Sequence, residues 1–391
     1  MERWRKKLDD LTRQNMRRSL RTVAGMQGPH VSLDGRELLM LCSNNYLGLA
    51  SHPHLIEAAT RATVDYGVGS SGSRLISGSM ELHADFEARL ASFKSTEAAL
   101  LFNSGYAANN GILQGLFGPD DVIFSDELNH ASIIDGCRLS KARTVVYKHA
   151  DPESLESLMI TEQPKRRGRW VIVTDGVFSM DGDIAPLAEL VSLKGRYDAL
   201  LMIDDAHGTG VLGATGRGSG EHCGCLHQID LHMGTLGKGL GCFGAYLASS
   251  QVVIDTLVNS SRSFIFSTSL PPALPATAMA ALDVVESEEG ARLRQQLRSN
   301  RQVFIEKLVA GGCDIGESET QIVPVITGDP VSTMQSAGKL LEAGIFIQGI
   351  RPPTVPDGQC RLRGTIMATH DPTQLEAAAE KIVATVDKGR K

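Results

Sequence analysis

The chain has 391 residues, of which 42% are hydrophobic and 21% are charged, and its formal net charge is −6. This composition is typical of a globular protein with a sizeable core, and it excludes a global basic field for holding nucleic acid. The longest apolar runs are strand-sized, far below the roughly 20 residues that a membrane helix needs. Seven scattered cysteines indicate free thiols in a reducing compartment, so we expect a cytoplasmic protein without nucleic-acid or membrane partners.

The first predicted element is an amphipathic N-terminal helix, which belongs to an extension reaching from residue 1 to residue 43. Lysines and arginines are frequent there, but Glu2, Asp9 and Asp10 interrupt them and no cleavable apolar segment follows. The pattern therefore indicates a helix that packs on the body of the protein and not a transit peptide.

Within residues 44–285, short apolar runs alternate with longer amphipathic stretches between about residue 95 and residue 250. Continuous apolar runs of this kind are typical of parallel strands that helices cover on both faces. We therefore expect a large α/β domain, with ligands beyond the carboxyl ends of its strands. The runs are Ala98 to Phe102, Val122 to Phe124, Val145 to Tyr147, Val171 to Val173, Leu200 to Ile203 and Ala245 to Ala248.

Residues 286–391 are predicted to form a small C-terminal α+β domain. Two helical stretches, 273–285 and 292–309, are separated by a break at 287–290, where this second domain starts. The strands and the final helix are expected at 322–326, 344–347, 362–367 and 372–386.

A single lysine lies within the glycine-rich segment 235–241, whose sequence is Thr-Leu-Gly-Lys-Gly-Leu-Gly. Small neighbours allow a planar cofactor to lie against the backbone, and an amine shielded from solvent loses its proton more easily. Lys238 is therefore a candidate for a Schiff base with a carbonyl cofactor. The alternative is a surface turn that carries a charge.

Acidic residues follow two of the predicted strands. Asp204 closes the run 200–203, and Asp175 ends the neighbouring run 171–173. A carboxylate at a strand end can stabilise the protonated pyridine nitrogen of pyridoxal phosphate, which then withdraws electrons from a substrate carbanion. His207 can hydrogen-bond the phenolic oxygen of the same cofactor. The alternative for each residue taken alone is a polar loop.

A helix start follows the run that ends at Phe102. Ser104, Gly105 and Tyr106 precede the amphipathic stretch 107–116, whose first backbone N–H groups have no partner in the helix and can bind phosphate. His130 follows another predicted strand and can stack on a pyridine ring, although a single histidine is more often structural.

Two other patterns, one typical of dinucleotide binding and one of metal binding, give weaker predictions. The segment 208–213 reads Gly-x-Gly-x-x-Gly after a strand, and Asp230 lies 20 residues beyond Gly210. However, the glycine-rich stretch 214–220 cannot form the helix that a dinucleotide site requires. The segment 222–227 holds two histidines and two cysteines, but such crowding argues against a tetrahedral ion site, so we expect no metal.

Taken together, the motifs resemble the α-oxoamine synthases, which are fold-type I pyridoxal-phosphate enzymes. The likeness covers nearly the whole chain. The motifs that carry it are Ser43 to Gly48, Gly67 to Gly78, Gly176 to Asp183, Asp204 to Gly210 and Thr235 to Gly241. The resemblance implies a large domain with a mostly parallel seven-stranded sheet, a small C-terminal α+β domain, the cofactor pyridoxal 5'-phosphate and a homodimer.

The resemblance also implies roles for individual residues at the cofactor. Lys238 would hold it as an aldimine and act as a base, Asp204 would meet the pyridine nitrogen, and His130 would stack over the ring. With His207, these three are the expected catalytic residues. The other cofactor contacts would come from Ser179, Gly105, Tyr106, Thr235 and, in the other subunit, Ser267 or Thr268.

Members of this family condense an amino acid with an acyl thioester and release carbon dioxide. The segment 350–356 looks most like the biotin-pathway member, which joins L-alanine to a pimeloyl thioester of coenzyme A or of an acyl carrier protein. Asp175 stands where relatives often carry Glu, and the 2-amino-3-ketobutyrate ligases share it, so glycine C-acetyl transfer stays an alternative. The implied substrate-binding residues are Arg21, Asn44, His130, Arg351, Thr354 and Arg363.

Overall fold

The structure is a computed structural model, and it describes residues 1–14 and 16–386. The described chain forms two compact units. The large unit comprises Leu49–Ser179 and Ile184–Arg294, and the small unit comprises Met1–Gly48, Met180–Asp183 and the chain from Gln295 onward. The small unit therefore draws on both ends of the chain, a grouping that the sequence patterns did not predict.

The strands and helices follow one another as two interleaved series. The strands are β1 Val23–Ala24, β2 His30–Leu33, β3 Arg36–Met40, β4 Ala98–Phe102, β5 Val122–Asp126, β6 Arg143–Tyr147, β7 Trp170–Asp175, β8 Leu200–Asp204, β9 Leu231–Thr235, β10 Ala245–Ser249, β11 Ile322–Gly328, β12 Ile345–Phe346, β13 Gln348–Ile350 and β14 Cys360–Thr365. The helices are α1 Glu2–Arg13, α2 Pro53–Tyr66, α3 Glu81–Lys94, α4 Gly105–Leu116, α5 Ala131–Ser140, α6 Pro152–Glu162, α7 Leu187–Arg196, α8 Ser219–His222, α9 Gln251–Ser260, α10 Arg262–Ile265, α11 Ala273–Glu286, α12 Glu288–Ala310, α13 Pro330–Glu342 and α14 Pro372–Thr385.

The large unit is built on a seven-stranded sheet with the order β4-β10-β9-β8-β7-β5-β6. All neighbouring pairs from β9 to β6 are parallel, whereas β10 runs antiparallel to both β9 and β4. The predicted mostly parallel, seven-stranded sheet is therefore confirmed.

Two apolar clusters cover the two faces of this sheet. Successive residues of a strand point to opposite faces, so Val171 and Val173 join one cluster and Trp170 and Ile172 join the other. The first cluster includes side chains of α4, α5 and α9, and the second includes side chains of α6 and α7. Burial on both faces explains why these strands read as continuous apolar runs.

The small unit contains two further sheets, with the orders β1-β2-β3-β12 and β11-β14-β13. The strand predicted at 344–347 corresponds to β12, which pairs with β3 in one sheet, and β13 follows it directly and pairs with β14 in the other. The strands predicted at 322–326 and 362–367 correspond to β11 and β14, which pair antiparallel.

The amphipathic helix at the N-terminus forms as α1, but none of its residues is buried. Trp4 is 65% exposed and Leu8 is 44% exposed, so the predicted packing of this helix on the body is not observed. No helix within residues 1–14 and 16–386 has the length and apolar content that crossing a membrane would require.

Candidate active site

Two aspartates end neighbouring parallel strands at the carboxyl edge of the large sheet. Asp175 closes β7 and Asp204 closes β8, and the two residues are register partners. Both are buried. The carboxyl ends of adjacent parallel strands meet at one edge of a sheet, which is where ligands of such sheets bind.

The two carboxylates differ in their hydrogen bonds. Asp204 accepts from Asn109 Nδ2 at 2.8 Å and from the backbone N–H of Ala206 at 3.0 Å. Asp175 accepts from the backbone N–H of His130 at 2.8 Å. Burial and the adjacent Asp204 charge raise the pKa of Asp175 well above its usual value, although this hydrogen bond and the charge of Lys238 oppose the rise.

His130 lies between β5 and α5 and is the N-cap of that helix. Its Nδ1 accepts from the backbone N–H of Ser132 at 3.2 Å and lies 2.7 Å from Ser132 Oγ. The residue is exposed as a whole, but this hydrogen-bonded part of the ring is partly buried. Burial of the imidazole lowers the pKa of His130. The Asp204 charge opposes this decrease and the Lys238 charge adds to it, so the imidazole is neutral at pH 7.

A fully buried asparagine of α4 connects these groups. Asn109 Nδ2 donates to Asp204 Oδ2 and to Ser132 Oγ, each at 2.8 Å. Its Oδ1 is buried without a hydrogen-bond partner among the described residues. Asn109 therefore binds groups that come from a strand end and from the start of the next helix.

Lys238 lies in the turn that follows β9. The backbone N–H of Gly241 donates to the Lys238 carbonyl at 2.9 Å, and Leu236 donates to the Gly244 carbonyl at 2.9 Å, which closes the turn. Since β9 is the parallel neighbour of β8, this turn starts at the edge of the sheet that holds Asp204. The Lys238 charge acts on both His130 and Asp175 and therefore belongs to the same group.

The start of α4 faces the end of β9. Ser104 caps this helix, and its Oγ accepts from the backbone N–H of Ala107 at 3.1 Å. A Cβ at Gly105 would lie 2.8 Å from Thr235 Cγ2, so no larger residue fits without displacing the threonine. The predicted phosphate contacts Gly105 and Thr235 therefore lie side by side, with Tyr106 next to them and 48% exposed.

Three other predicted cofactor residues lie on the same unit. His207 is buried in the turn that directly follows Asp204, and Ser179 is half-buried at the end of the segment after β7. Thr268 is exposed, and its carbonyl accepts from Asn103 Nδ2 at 2.8 Å. Thr268 thus lies beside the start of α4 in its own chain, while its predicted role in a partner subunit stays a prediction.

Within the small unit, Arg363 and Asn44 are in contact. Arg363 is buried on β14, and its Nη1 and Nη2 each lie 3.4 Å from Asn44 Oδ1, which also accepts from the Tyr46 hydroxyl at 3.0 Å. Arg361 lies two residues away on the same strand and is buried, and it forms an ion pair with the partly exposed Asp181. The two arginines of β14 therefore have different surroundings, one beside an amide and one beside a carboxylate.

A second cationic group of the small unit includes Arg351 and Thr354. Arg351 is 6% exposed and donates to the Arg17 carbonyl at 2.9 Å and to Met334 Sδ at 2.6 Å, and neither acceptor is charged. Burial lowers the pKa of Arg351, and the nearby Arg18 charge lowers it further. Arg18 itself lies 3.4 Å from Thr354 Oγ1.

Arg21 and Arg363 both lie near Cys42. The Arg21 guanidinium is 5.5 Å from the centre of the Phe346 ring, and its charge and that of Arg363 act on Cys42. Burial raises the pKa of Cys42 to about 12 despite these two cations. The small unit therefore contains four of the predicted substrate residues, Arg21, Asn44, Arg363 and Arg351, and the hydrogen-bond acceptors of Arg351 are uncharged.

Asn109, Ser132 and Arg18 were missed by the sequence reasoning. Asn109 lies within the mostly apolar helix α4, where a polar residue that is fully buried is the signal for a buried partner. Arg18 lies three residues before the predicted Arg21, in a stretch rich in basic residues. None of the three residues could be assigned a role without knowing which side chain faces it.

The large-unit group fits pyridoxal 5'-phosphate. A lysine after one strand, an acceptor-only carboxylate at the end of the next, a neutral imidazole and a helix start with a crowded glycine supply the four kinds of contact this cofactor requires. The residues that would provide them are Lys238, Asp204, His130 and Gly105.

The family model of class I and II aminotransferases matches residues 36–382 of the chain. The chain belongs to this family and, within it, to the α-oxoamine synthases, which use pyridoxal 5'-phosphate. It has the fold of the fold-type I enzymes and is a pyridoxal-phosphate-dependent acyltransferase.

Among curated relatives, the chain is 61% identical to a putative 8-amino-7-oxononanoate synthase of Syntrophotalea carbinolica, over 98% of each chain. It is 59% identical to the 8-amino-7-oxononanoate synthase of Geobacter metallireducens, over 98% of this chain and 97% of the other. A serine palmitoyltransferase of S. paucimobilis with bound cofactor and myriocin superimposes with a TM-score of 0.91 at 30% identity, over 98% of this chain and 96% of that one.

Proposed function

We propose that this chain condenses L-alanine with a pimeloyl thioester to give 8-amino-7-oxononanoate, carbon dioxide and a free thiol, a step of biotin biosynthesis. The observation that carries the proposal is the 56–61% identity, over nearly the full length, to relatives that bear this activity in their names. The structural likeness to a serine palmitoyltransferase, at 30% identity, supports the shared fold and cofactor but does not select the amino acid.

When bound, pyridoxal phosphate supplies an electron sink for the negative charge that develops at the α-carbon of the amino acid. Lys238 would hold the cofactor covalently, and its Nζ would take and return the α-proton. Asp204 would keep a proton at the pyridine nitrogen because its carboxylate accepts the resulting N–H. His130 would cover the ring, and the first backbone N–H groups of α4, at Gly105 and Tyr106, would bind the phosphate.

The remaining large-unit contacts complete this arrangement. We assign His207 and Ser179 to the phenolic oxygen of the cofactor and Thr235 to its phosphate, beside Gly105. The order of the strand ends supports these assignments, because β7, β8 and β9 are adjacent and parallel.

The small unit would bind the two substrates. A guanidinium fork matches a carboxylate bidentately, so Arg363, supported by Asn44, would bind the carboxylate of L-alanine. Arg21, Arg351 and Thr354 would meet the acyl donor. The uncharged partners of Arg351 support this role, since its charge is not neutralised by them.

A homodimer is part of this proposal. Apolar side chains are strongly exposed on the large unit close in sequence to Thr268, the residue expected to cross to the partner site. Phe266 is 72% exposed, and Ile76 is 83% exposed in the segment that bridges to Thr268 through Ser73. Exposed apolar groups of this kind support an interface between subunits. The seven free cysteines support a reducing, cytoplasmic location.

The substrate assignment is tested by comparing two pairs of substrates on the purified enzyme. We expect kcat/KM for L-alanine with a pimeloyl thioester to exceed that for glycine with acetyl-CoA by at least about 100-fold, because an acetyl group lacks the long acyl chain that Arg21, Arg351 and Thr354 would meet. Pimeloyl-CoA and pimeloyl-carrier protein are assayed in parallel to identify the donor. A preference for glycine and acetyl-CoA would replace this proposal with glycine C-acetyl transfer.

A further inference from the structure

The side chain of Asn109 is oriented with its amide nitrogen towards Asp204. This nitrogen donates to Asp204 Oδ2 at 2.8 Å. The same nitrogen lies 2.8 Å from Ser132 Oγ. Both amide protons are therefore used, one by Asp204 and one by Ser132.

The direction of the next hydrogen bond follows from this orientation. Ser132 Oγ accepts from Asn109, so its own proton is available for His130 Nδ1 at 2.7 Å. The backbone N–H of Ser132 donates to the same Nδ1 at 3.2 Å. A nitrogen that receives two donors cannot carry a proton, and the imidazole proton must therefore lie on Nε2.

We propose that Asn109 and Ser132 are positioning residues: Asn109 donates to the Asp204 carboxylate, and Ser132 holds His130 as the neutral tautomer protonated on Nε2. The proposal rests on the assignment of His130 and Asp204 to the cofactor site. One amide would thereby connect the two groups that face the cofactor. The carboxylate stabilises a protonated pyridine ring, and a neutral imidazole over that ring does not repel it.

The surroundings of His130 agree with this assignment. The charged or titratable groups that act on it are Asp175 at the end of β7, Asp204 at the end of β8 and Lys238 after β9. The described residues give Nε2 no hydrogen-bond partner, so this N–H is available to a ligand. By contrast, both ring nitrogens of His370 in the small unit are hydrogen-bonded, to Met367 and Met40.

The tautomer is tested by solid-state ¹⁵N NMR of the holoenzyme labelled at histidine, with the His130→Gln variant identifying the His130 signals. We expect an unprotonated Nδ1 and a protonated Nε2 in the wild type, and a mixture of tautomers in Ser132→Ala. The matched control is Ser140→Ala, which removes a buried hydroxyl from the same helix that donates to the Cys137 carbonyl at 2.7 Å. A proton on Nδ1 in the wild type, or equal spectra for the two serine variants, would overturn the proposal.

The dissociation constant of pyridoxal phosphate gives a second readout. Asn109→Leu should weaken cofactor binding about 10-fold to 100-fold, because a hydrogen bond to a buried charge is lost. Ser132→Ala should weaken it less, Ser132→Thr should restore it, and Ser140→Ala should leave it unchanged. If Asn109→Leu does not fold, the serine series alone decides, and equal affinity in Ser132→Ala and Ser140→Ala counts against the proposal. None of these readouts uses the acyl donor, so they separate this inference from the proposed substrate.

Discussion

Two polar groups, one in each unit, are partnered in opposite ways. In the large unit, Asp204, Asn109, Ser132 and His130 bind one another, and nearly every donor has a defined acceptor. In the small unit, the buried Arg351 donates to a carbonyl and a thioether. A network of side chains that bind one another fixes their orientation in advance and suits chemistry, whereas a cation with uncharged partners keeps its charge for a substrate. Changes in the large unit should therefore affect turnover, and changes in the small unit should affect substrate affinity.

The largest effect is expected for Lys238→Ala. Removing the amine eliminates both the covalent link to the cofactor and the base, so turnover should fall by more than about 10⁴-fold. The visible absorption of the bound cofactor should disappear as well. Circular dichroism and thermal unfolding should match the wild type, because Lys238 is half-buried in a turn and contributes little core volume. Normal turnover in this variant would refute the assignment of the site.

Asp204→Asn tests whether the network determines the chemistry. An amide cannot stabilise a protonated pyridine nitrogen, so kcat should fall by about 10²-fold to 10³-fold. Asp205→Asn is the matched control, because Asp205 pairs with the buried Lys94 at 3.3 Å and has no proposed contact with the cofactor. That control should lower the free energy of unfolding by about 3 to 5 kcal/mol while the folded fraction keeps its turnover. Equal losses of kcat in both variants would contradict the distinction.

A buried histidine of the small unit should matter for stability alone. Burial lowers the pKa of His370 to about 4, and its unfolded value is about 6.5, so the folded state disfavours the protonated form. Its contribution is complete above pH 6.5 and is lost as the pH falls from 6.5 towards 4, by at most about 3 kcal/mol.

Denaturant unfolding between pH 4 and pH 7 measures this contribution. His370→Gln should flatten the dependence of the unfolding free energy on pH, whereas the exposed His222 should be replaceable by Gln without this effect. An unchanged slope in His370→Gln would show that other groups cause the acid sensitivity.

The smallest effect is expected for Arg363→Ala, and it should appear in affinity. Losing a charged hydrogen-bonding partner should raise KM for L-alanine about 10-fold to 100-fold with a smaller change in kcat. Arg361→Ala is the control on the same strand, and it should destabilise the fold because Asp181 loses its ion-pair partner. If Arg363→Ala lowered kcat and left KM unchanged, this arginine would act in the chemical step. The expectation that changes in the small unit affect substrate affinity would then be wrong.

Much of the large unit could be predicted because local patterns decide its structure. Parallel strands buried on both faces give continuous apolar runs, and these runs led directly to Asp175 and Asp204 at their ends. The neighbours of those carboxylates could not be predicted in the same way. Asn109 and Asp204 are 95 residues apart, and their contact depends on how α4 packs beside β8.

The small unit was less predictable because its pairings are non-local. β3 and β12 are parallel neighbours in one sheet although about 300 residues separate them, and no periodicity within either strand indicates the partner. The pairing of β12 and β13 in different sheets has the same cause. The N-terminal helix was predicted correctly from its amphipathic pattern, but a pattern cannot show what, if anything, covers the apolar face.

The discontinuity of the small unit has a consequence for biosynthesis. Translation completes the large unit, which ends at Arg294, before the strands from β11 onward leave the ribosome, and domains generally fold as units during synthesis. During that interval β3 has no β12 to pair with, so an edge of the N-terminal sheet remains open. Asn44 likewise precedes its partner Arg363 by 319 residues. The contacts among Asn109, Asp204, Ser132 and His130 can therefore form earlier in synthesis than the contact between Asn44 and Arg363.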